Sequence, residues 1–148
     1  MDLQERLMAD MQEAMRKGDT LRRDTIRVLR SAIRYAEIAS QRQADDAQVV
    51  EVILHEVKQR SDAIVLYQQG KRDDLVTKAR AEITILQSYL PRQLSEQEIG
   101  AALRGIIAEL GASSVADLGA VMRQAMAALK GQVDGRVVNR IARELLSQ

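Results

Sequence analysis

Apolar residues recur along this chain every three to four positions, with polar residues between them. This spacing places the apolar side chains on one face of an α-helix. The alternation with a period of two that predicts strands occurs nowhere in the sequence. The pattern therefore predicts an all-α fold, in which apolar helix faces pack together as helical bundles.

Capping residues and glycines divide the pattern into seven helices. Asp45 with Gln48, and Ser95 with Glu98, have the spacing of a capping box, which opens a helix. Glycines that follow apolar runs are typical of helix ends. The predicted helices cover approximately residues 3–17, 21–39, 46–69, 73–90, 96–110, 115–130 and 135–146.

Pro91 is the only proline and interrupts the helical pattern. Proline lacks a backbone N–H and disfavours helical backbone at the preceding residue. We therefore predict an N-terminal four-helix domain over residues 1–91 and a small three-helix tail domain over residues 92–148.

Composition narrows the chemistry that this chain can perform. Its 148 residues are 46% hydrophobic but only 2% aromatic, and they include no cysteine and a single histidine, His55. A thiolate nucleophile and sulfur-ligated zinc are excluded, and His55 with Glu51 offers only two metal ligands. A histidine partly packed on a helix is the commoner outcome. We expect no metal, no cofactor and no catalytic group in this chain.

The N-terminal residues and the overall hydropathy bear on location. No apolar run follows a basic start, and no stretch approaches the roughly 18 apolar residues of a membrane span. These features predict a cytoplasmic protein that does not insert into a membrane.

Four arginines form the strongest local charge pattern. They are spaced by four, three and four residues, so on a helix they lie along one face. Arginine suits phosphate groups because its guanidinium offers a bidentate fork. Acidic residues lie close by, so an alternative is equally open in which the arginines form a solvated row that is paired with carboxylates. The arginines are Arg23, Arg27, Arg30 and Arg34, and the acids are Asp19, Asp24 and Glu37.

A second candidate lies between Gly131 and Gly135, directly before the last helix. The free N–H groups of a helix N-terminus can receive an anion. Asp134 would occupy that position itself, which favours a simple turn with an aspartate cap. Arg136 and Arg140 follow on the same helix and could assist binding of a phosphate backbone.

Three stretches carry a family resemblance: LRRDTIRVLRSAIRYAE at 21–37, AEITILQSYLPRQLSEQE at 81–98 and GAVMRQAMAALKGQVDGRVVNRI at 119–141. Together they resemble the YqeY-like family, which is related to the C-terminal helical and tail domains of the B subunit of glutamyl/aspartyl-tRNA amidotransferase. Gln132 and Val133 depart from the arginine and alanine that are usual there. The matching motif residues are Gly119, Met122, Gly131, Asp134, Gly135, Val138 and Asn139.

The resemblance implies a helical domain followed by a three-helix tail, and an association with tRNA. It also implies a family label of carbon–nitrogen ligase with glutamine as amido-N-donor, although the amidotransferase performs that chemistry in other domains and subunits. The first hypothesis is therefore a module that binds folded RNA, such as tRNA, through its arginines. With no Phe or Trp, we expect contact with a folded backbone rather than stacked bases.

The alternative hypothesis is a protein-interaction adaptor. Met122 and Met126 could offer a partner an adaptable apolar patch on the tail domain. Packing into the core is the commoner fate of such residues.

Overall fold

The computed structural model describes residues 1–148 and confirms the all-α prediction. Seven α-helices and one turn of 3-10 helix are present, and no strand. The helices are α1 (Leu3–Lys17), α2 (Thr20–Ser40), α3 (Asp46–Gln69), α4 (Asp73–Gln87), α5 (Glu96–Leu110), α6 (Leu118–Ala128) and α7 (Gly135–Leu146), with the 3-10 turn at Val115–Asp117 before α6.

The chain divides into two compact units, Met1–Leu90 with helices α1 to α4 and Pro91–Gln148 with helices α5 to α7. We refer to them as the first and second units. That they are separate folding domains with the predicted bounds of 1–91 and 92–148 stays a prediction.

The first unit is held together by an aliphatic core. On α2, Ile26, Leu29 and Ile33 recur at helical spacing and are at most 2% exposed. Each buried side chain of this size stabilises the fold by about 1.5–3 kcal/mol relative to exposure. The buried cluster comprises Leu7, Ile26, Leu29, Ile33, Val49, Ile53, Ile85, Leu86 and Tyr89.

The end of α4 differs from its prediction. The helix ends at Gln87, and backbone N–H groups of the next residues bond to carbonyls three residues back, as in Tyr89 to Leu86. This tighter turn places Tyr89 in the core at 3% exposure. The Tyr89 hydroxyl donates to Asp10 Oδ2 at 2.5 Å. Tyr89 is therefore a core residue that lies beyond the end of α4, although it falls within the range 73–90 predicted as helix.

A group of charged side chains lies between α3 and α4. Arg60 Nη1 donates to Glu56 Oε1 at 3.1 Å, and Arg60 Nε lies 3.6 Å from Glu82 Oε2. Glu56 is buried and the other two are largely covered. The spacing of apolar residues does not predict this group, because Glu56 and Glu82 are charged residues at positions on packed helix faces.

The second unit packs α5, α6 and α7 against one another. The capping box that Ser114 makes with Asp117 opens the 3-10 turn rather than α6, which begins at Leu118. Its buried core comprises Ile99, Leu103, Ile106, Val121, Ala125, Val133, Val138, Ile141, Ala142 and Leu146.

Judged by length and hydropathy, none of the helices taken singly could cross a membrane. One bent pair, Glu96–Leu110 with Val115–Ala128, meets both criteria when its two helices are combined, and the bend between them is 93°.

Candidate nucleic-acid interface

Helix α2 places the predicted arginines beside its buried face. Asp19 caps its N-terminus by accepting from Arg22 N at 3.1 Å, and Gln41 ends it in left-handed backbone. Because Ile26, Leu29 and Ile33 point into the core, the arginine positions lie along one flank of the helix. The row is thus held by a helix that is anchored in the core.

Arg27 and Arg34 are exposed, and the structure shows no hydrogen bond or ion pair to either guanidinium. A solvated cation without a carboxylate partner can bind a phosphate without first breaking an internal contact. These two residues are the available members of the predicted row.

Arg23 and Arg30 are less available. Arg23 Nε donates to Asp24 Oδ1 at 2.8 Å, and this bond lowers the pKa of the Asp24 carboxyl, which therefore remains ionised and compensates the guanidinium. Arg30 is half-buried, with Nη1 at 3.7 Å from the sulfur of Met11 on α1. The structure therefore divides the four arginines into two free and two engaged side chains.

Glu37 serves the fold rather than the arginine row. Its carboxylate accepts from Ala44 N at 2.8 Å and from Gln4 Nε2 at 3.1 Å. The bond from the Ala44 backbone is the main reason that the pKa of Glu37 is lowered, with help from Gln4 and from the charge of Arg34. Glu37 tempers the field near Arg34 but forms no ion pair with it.

Sequence reasoning missed a further cation at the end of α2. Arg42 is exposed and lines a groove of about 450 Å³ together with Arg34. The spacing of the row did not predict this, because eight residues after Arg34 correspond to a position about 80° away on a helical projection. Arg42 reaches the groove from the segment that follows the end of α2 at Ser40.

An exposed aromatic side chain was also missed. Tyr35 is 79% exposed, whereas Tyr89 is buried. Val28 and Ile38 on the same helix are 49% and 68% exposed. Helix α2 therefore presents apolar groups beside its arginines, which the expectation of a purely ionic surface did not include.

The two arginines predicted on α7 differ from each other. Arg140 pairs with Glu96 on α5 and lies 3.3 Å from Glu144 on its own helix. Arg136 is exposed, and its guanidinium has no ion pair. Arg136 is therefore the freer of the two for an anionic ligand.

The turn before α7 is capped as the simpler interpretation predicted. Asp134 accepts from Arg136 N at 2.8 Å, so a carboxylate already occupies the helix N-terminus. The turn also bonds to the segment after Pro91: Gln93 Nε2 donates to Gly131 O at 2.7 Å, and Leu94 N donates to Gln132 O at 2.8 Å. These contacts assign the turn to the structure of the second unit.

Most family-motif residues have a structural explanation. Gly131 adopts φ 81°, which favours glycine. A Cβ on Gly135 would make only an ordinary contact, at 3.5 Å from the Cε of Met126, so the structure does not require glycine there. Val138 is fully buried, and Asn139 accepts from Arg143 Nε at 2.9 Å. Gly119 is exposed with open space around it, and nothing in the structure explains a glycine there.

Met122 and Met126 both pack against the core of the second unit. This is the commoner fate of methionines on an apolar helix face. No exposed methionine patch supports the adaptor hypothesis here.

His55 lies exposed on α3 in a shallow groove that Glu51 also lines. Histidine, aspartate and glutamate side chains do not converge in threes anywhere in the structure.

Comparison with known proteins identifies the family. The sequence profile of the family described as "Yqey-like protein" matches residues 4–146. A protein named "Altered inheritance of mitochondria protein 41, mitochondrial" from Pyrenophora tritici-repentis is 32% identical over 149 residues, covering 95% of this chain and 79% of that protein.

Two yeast relatives carry the same name. The Kluyveromyces lactis protein is 36% identical over 108 residues, which cover 70% of this chain and 58% of the relative. The Lachancea thermotolerans protein is 34% identical over 111 residues, which cover 73% of this chain and 59% of the relative. The chain thus spans less than two thirds of these two relatives.

These relatives contradict the predicted cytoplasmic location. All three are named as mitochondrial proteins. The prediction was wrong because it rested on the lack of an apolar secretory signal and of a membrane span. Sequences that direct proteins to mitochondria are instead amphipathic and rich in arginine.

Proposed function

The chain belongs to the YqeY-like family, and we propose that it binds folded RNA, with tRNA as the first candidate, through the arginine-bearing side of α2. Arg27, Arg34 and Arg42 hold the phosphate backbone in this proposal. Arg23 and Arg30 contribute charge and shape at the edge of the same surface.

The observation that carries the proposal is uncompensated charge on one rigid helix. Between Thr20 and Ser40 there are five arginines, one aspartate and one glutamate. The carboxylate of Glu37 is bonded to Ala44 and Gln4. Asp24 is ion-paired with Arg23, and the capping residue Asp19 with Arg22, so three of the five arginines have no ion pair. The planar guanidinium fork is pre-organised for bidentate contact, so an arginine loses less conformational freedom per hydrogen bond to phosphate than a lysine does.

The choice of tRNA comes from the amidotransferase resemblance. The region of the B subunit that this chain resembles contacts tRNA, whereas amide transfer takes place in other domains and subunits. We accordingly propose an RNA-associated accessory protein. The family label of carbon–nitrogen ligase then describes ancestry rather than a reaction performed by this chain alone.

Binding of fluorescently labelled tRNA, followed by anisotropy, tests the proposal. The Arg27→Glu, Arg34→Glu double variant should bind much more weakly than the parent protein. The matched control is Arg80→Glu, which changes another exposed arginine of the first unit that lies on α4. Unchanged affinity in the double variant, or equal loss in the control, would reject α2 as the binding surface.

Salt dependence provides a second readout. On duplex DNA, each phosphate contact contributes about 0.9 to the slope of log affinity against log salt. Replacing Arg27 and Arg34 by glutamine should therefore lower the slope by about 2. Between 50 and 200 mM salt, that difference corresponds to about a tenfold smaller loss of affinity.

A further inference from the structure

Tyr35 is placed where it contributes little to the fold. Its side chain is 79% exposed, although burying an aromatic ring is among the larger sources of stability. A single exposed apolar residue needs no explanation, but Val28 and Ile38 are exposed on the same side of α2. This side of α2 is an apolar surface without a partner within the chain.

A shallow, open groove lies beside Tyr35. It has a volume of about 420 Å³ and lies between α2 and α3. Tyr35 lines it from α2 and His55 from α3, while Ala32 and Ala36 leave room because their side chains are small. Two aromatic rings beside small side chains form a surface on which a planar ring can stack.

The charges around the groove indicate which planar ligand it suits. Arg34 directly precedes Tyr35, so the two side chains leave the helix about 100° apart and adjoin on its surface. Glu51 and Glu56 line the groove itself, and the carboxylate of Glu56 is already paired with Arg60. Neither carboxylate offers a phosphate the donors that an arginine does. The surface outside the groove is therefore cationic, whereas the groove is lined by apolar side chains and carboxylates. This distribution suits a nucleotide whose phosphate lies on the arginine side and whose uncharged base lies in the groove.

We propose that Tyr35 stacks on one unpaired base of the RNA whose backbone Arg27 and Arg34 hold. This inference rests on the proposed function and adds a structural feature of the ligand. The RNA then carries a bulged, looped or splayed nucleotide beside a paired stem. This stacking departs from the expectation of contact with a folded backbone rather than stacked bases, which rested on the absence of Phe and Trp and did not consider the exposure of Tyr35.

Two RNA hairpins separate this inference from the proposed function. One carries a single bulged 2-aminopurine in its stem, and the other is the same hairpin fully paired. The parent protein should bind the bulged hairpin roughly 5- to 150-fold more tightly, the range that corresponds to stacking of one base. Binding should also change the 2-aminopurine fluorescence, because stacking alters the environment of that base.

The Tyr35→Ala variant should lose this preference while retaining its affinity for the paired hairpin. Tyr35→Phe should keep the preference, because the ring and not the hydroxyl makes the contact. Leu66→Ala is the matched control, since Leu66 is another exposed apolar residue of the first unit, at 66% exposure on α3. It should leave both affinities unchanged.

Each remaining outcome overturns one idea. Equal binding of the two hairpins by the parent protein, or an equal loss for both in Tyr35→Ala, overturns the stacking role and leaves the proposed function intact. If the Arg27→Glu, Arg34→Glu double variant binds both hairpins as tightly as the parent protein does, the proposed function is overturned. Analytical ultracentrifugation of the RNA-free protein tests a further outcome. If the parent protein forms a dimer and the Tyr35→Ala variant does not, this face binds a second copy of the chain and the stacking role is overturned.

Discussion

Removing the hydroxyl of Tyr89 should measurably destabilise the first unit. The hydroxyl donates to Asp10 Oδ2 at 2.5 Å and so joins the segment after α4 to α1. Burial and the Asp10 carboxylate raise the pKa of Tyr89, so the hydroxyl remains a donor at every ordinary pH. Tyr89→Phe keeps the ring, its packing and the guanidinium of Arg6 at 4.7 Å from the ring centroid.

The size of the effect follows from the charge of the acceptor. A hydrogen bond to a charged group contributes about 1.5–3 kcal/mol. Asp10 is only half-buried, so water partly replaces the lost donor and the lower end applies, about 1.5–2 kcal/mol. For a chain of this length that corresponds to a decrease in Tm of about 3–8 °C.

Urea and thermal unfolding followed by circular dichroism measure this change. The matched control is Tyr35→Phe, which removes a solvated hydroxyl and should stay within about 0.5 kcal/mol of the parent. A double-mutant cycle with Asp10→Asn isolates the bond between the two side chains. Strict additivity in the cycle, or a Tyr89→Phe protein as stable as the parent, would refute the role assigned to this bond.

Four further substitutions test the second unit. Pairing with Arg92 lowers the pKa of Glu98 from its usual 4.5 to about 2. The ionised carboxylate therefore stabilises the folded state above pH 4.5, and this contribution is lost as the pH falls towards 2. The decrease in Tm caused by Glu98→Gln should accordingly become smaller between pH 4.5 and pH 2. Gly131→Ala should lower the free energy of unfolding, measured by urea titration, by about 1–2 kcal/mol because Gly131 has a positive φ. Gly105→Ala should raise it by about 0.5–1 kcal/mol, because Gly105 lies within α5 with open space around it. Leu103→Ala removes a fully buried side chain and should cost about 2–5 kcal/mol in the same assay.

The helices were predictable because their signals are local. The capping boxes at Asp45 and Ser95 form as the spacing predicts, and glycines follow α1 and α5 in left-handed backbone. The position of Tyr89 was not predictable, because the last turn of α4 tightens and redirects that side chain towards Asp10. Such a shift depends on a partner 79 residues away in sequence.

The arginine row shows the same division between local and tertiary information. Spacing alone indicated that the arginines share one side of α2. Which of them are free was not predictable, since Arg30 is engaged by the sulfur of Met11 on another helix. Glu37 is likewise bonded to Ala44 and Gln4, so it reduces the field near Arg34 without forming an ion pair with it.

The residues that identify the family and the residues proposed to bind RNA have different roles. Gly131 and Asp134 are explained by backbone conformation and helix capping, so their replacement should lower stability and reduce binding only through unfolding. The guanidinium groups of Arg27 and Arg34 are exposed and form no hydrogen bond or ion pair, so their replacement should reduce RNA affinity with a free energy of unfolding within about 0.5 kcal/mol of the parent. Family membership therefore informs on how the second unit folds, whereas the proposed RNA binding depends on the guanidinium groups of α2 that form no ion pair. Variants of Arg27 and Arg34 that lost stability together with affinity would show that the two roles cannot be separated.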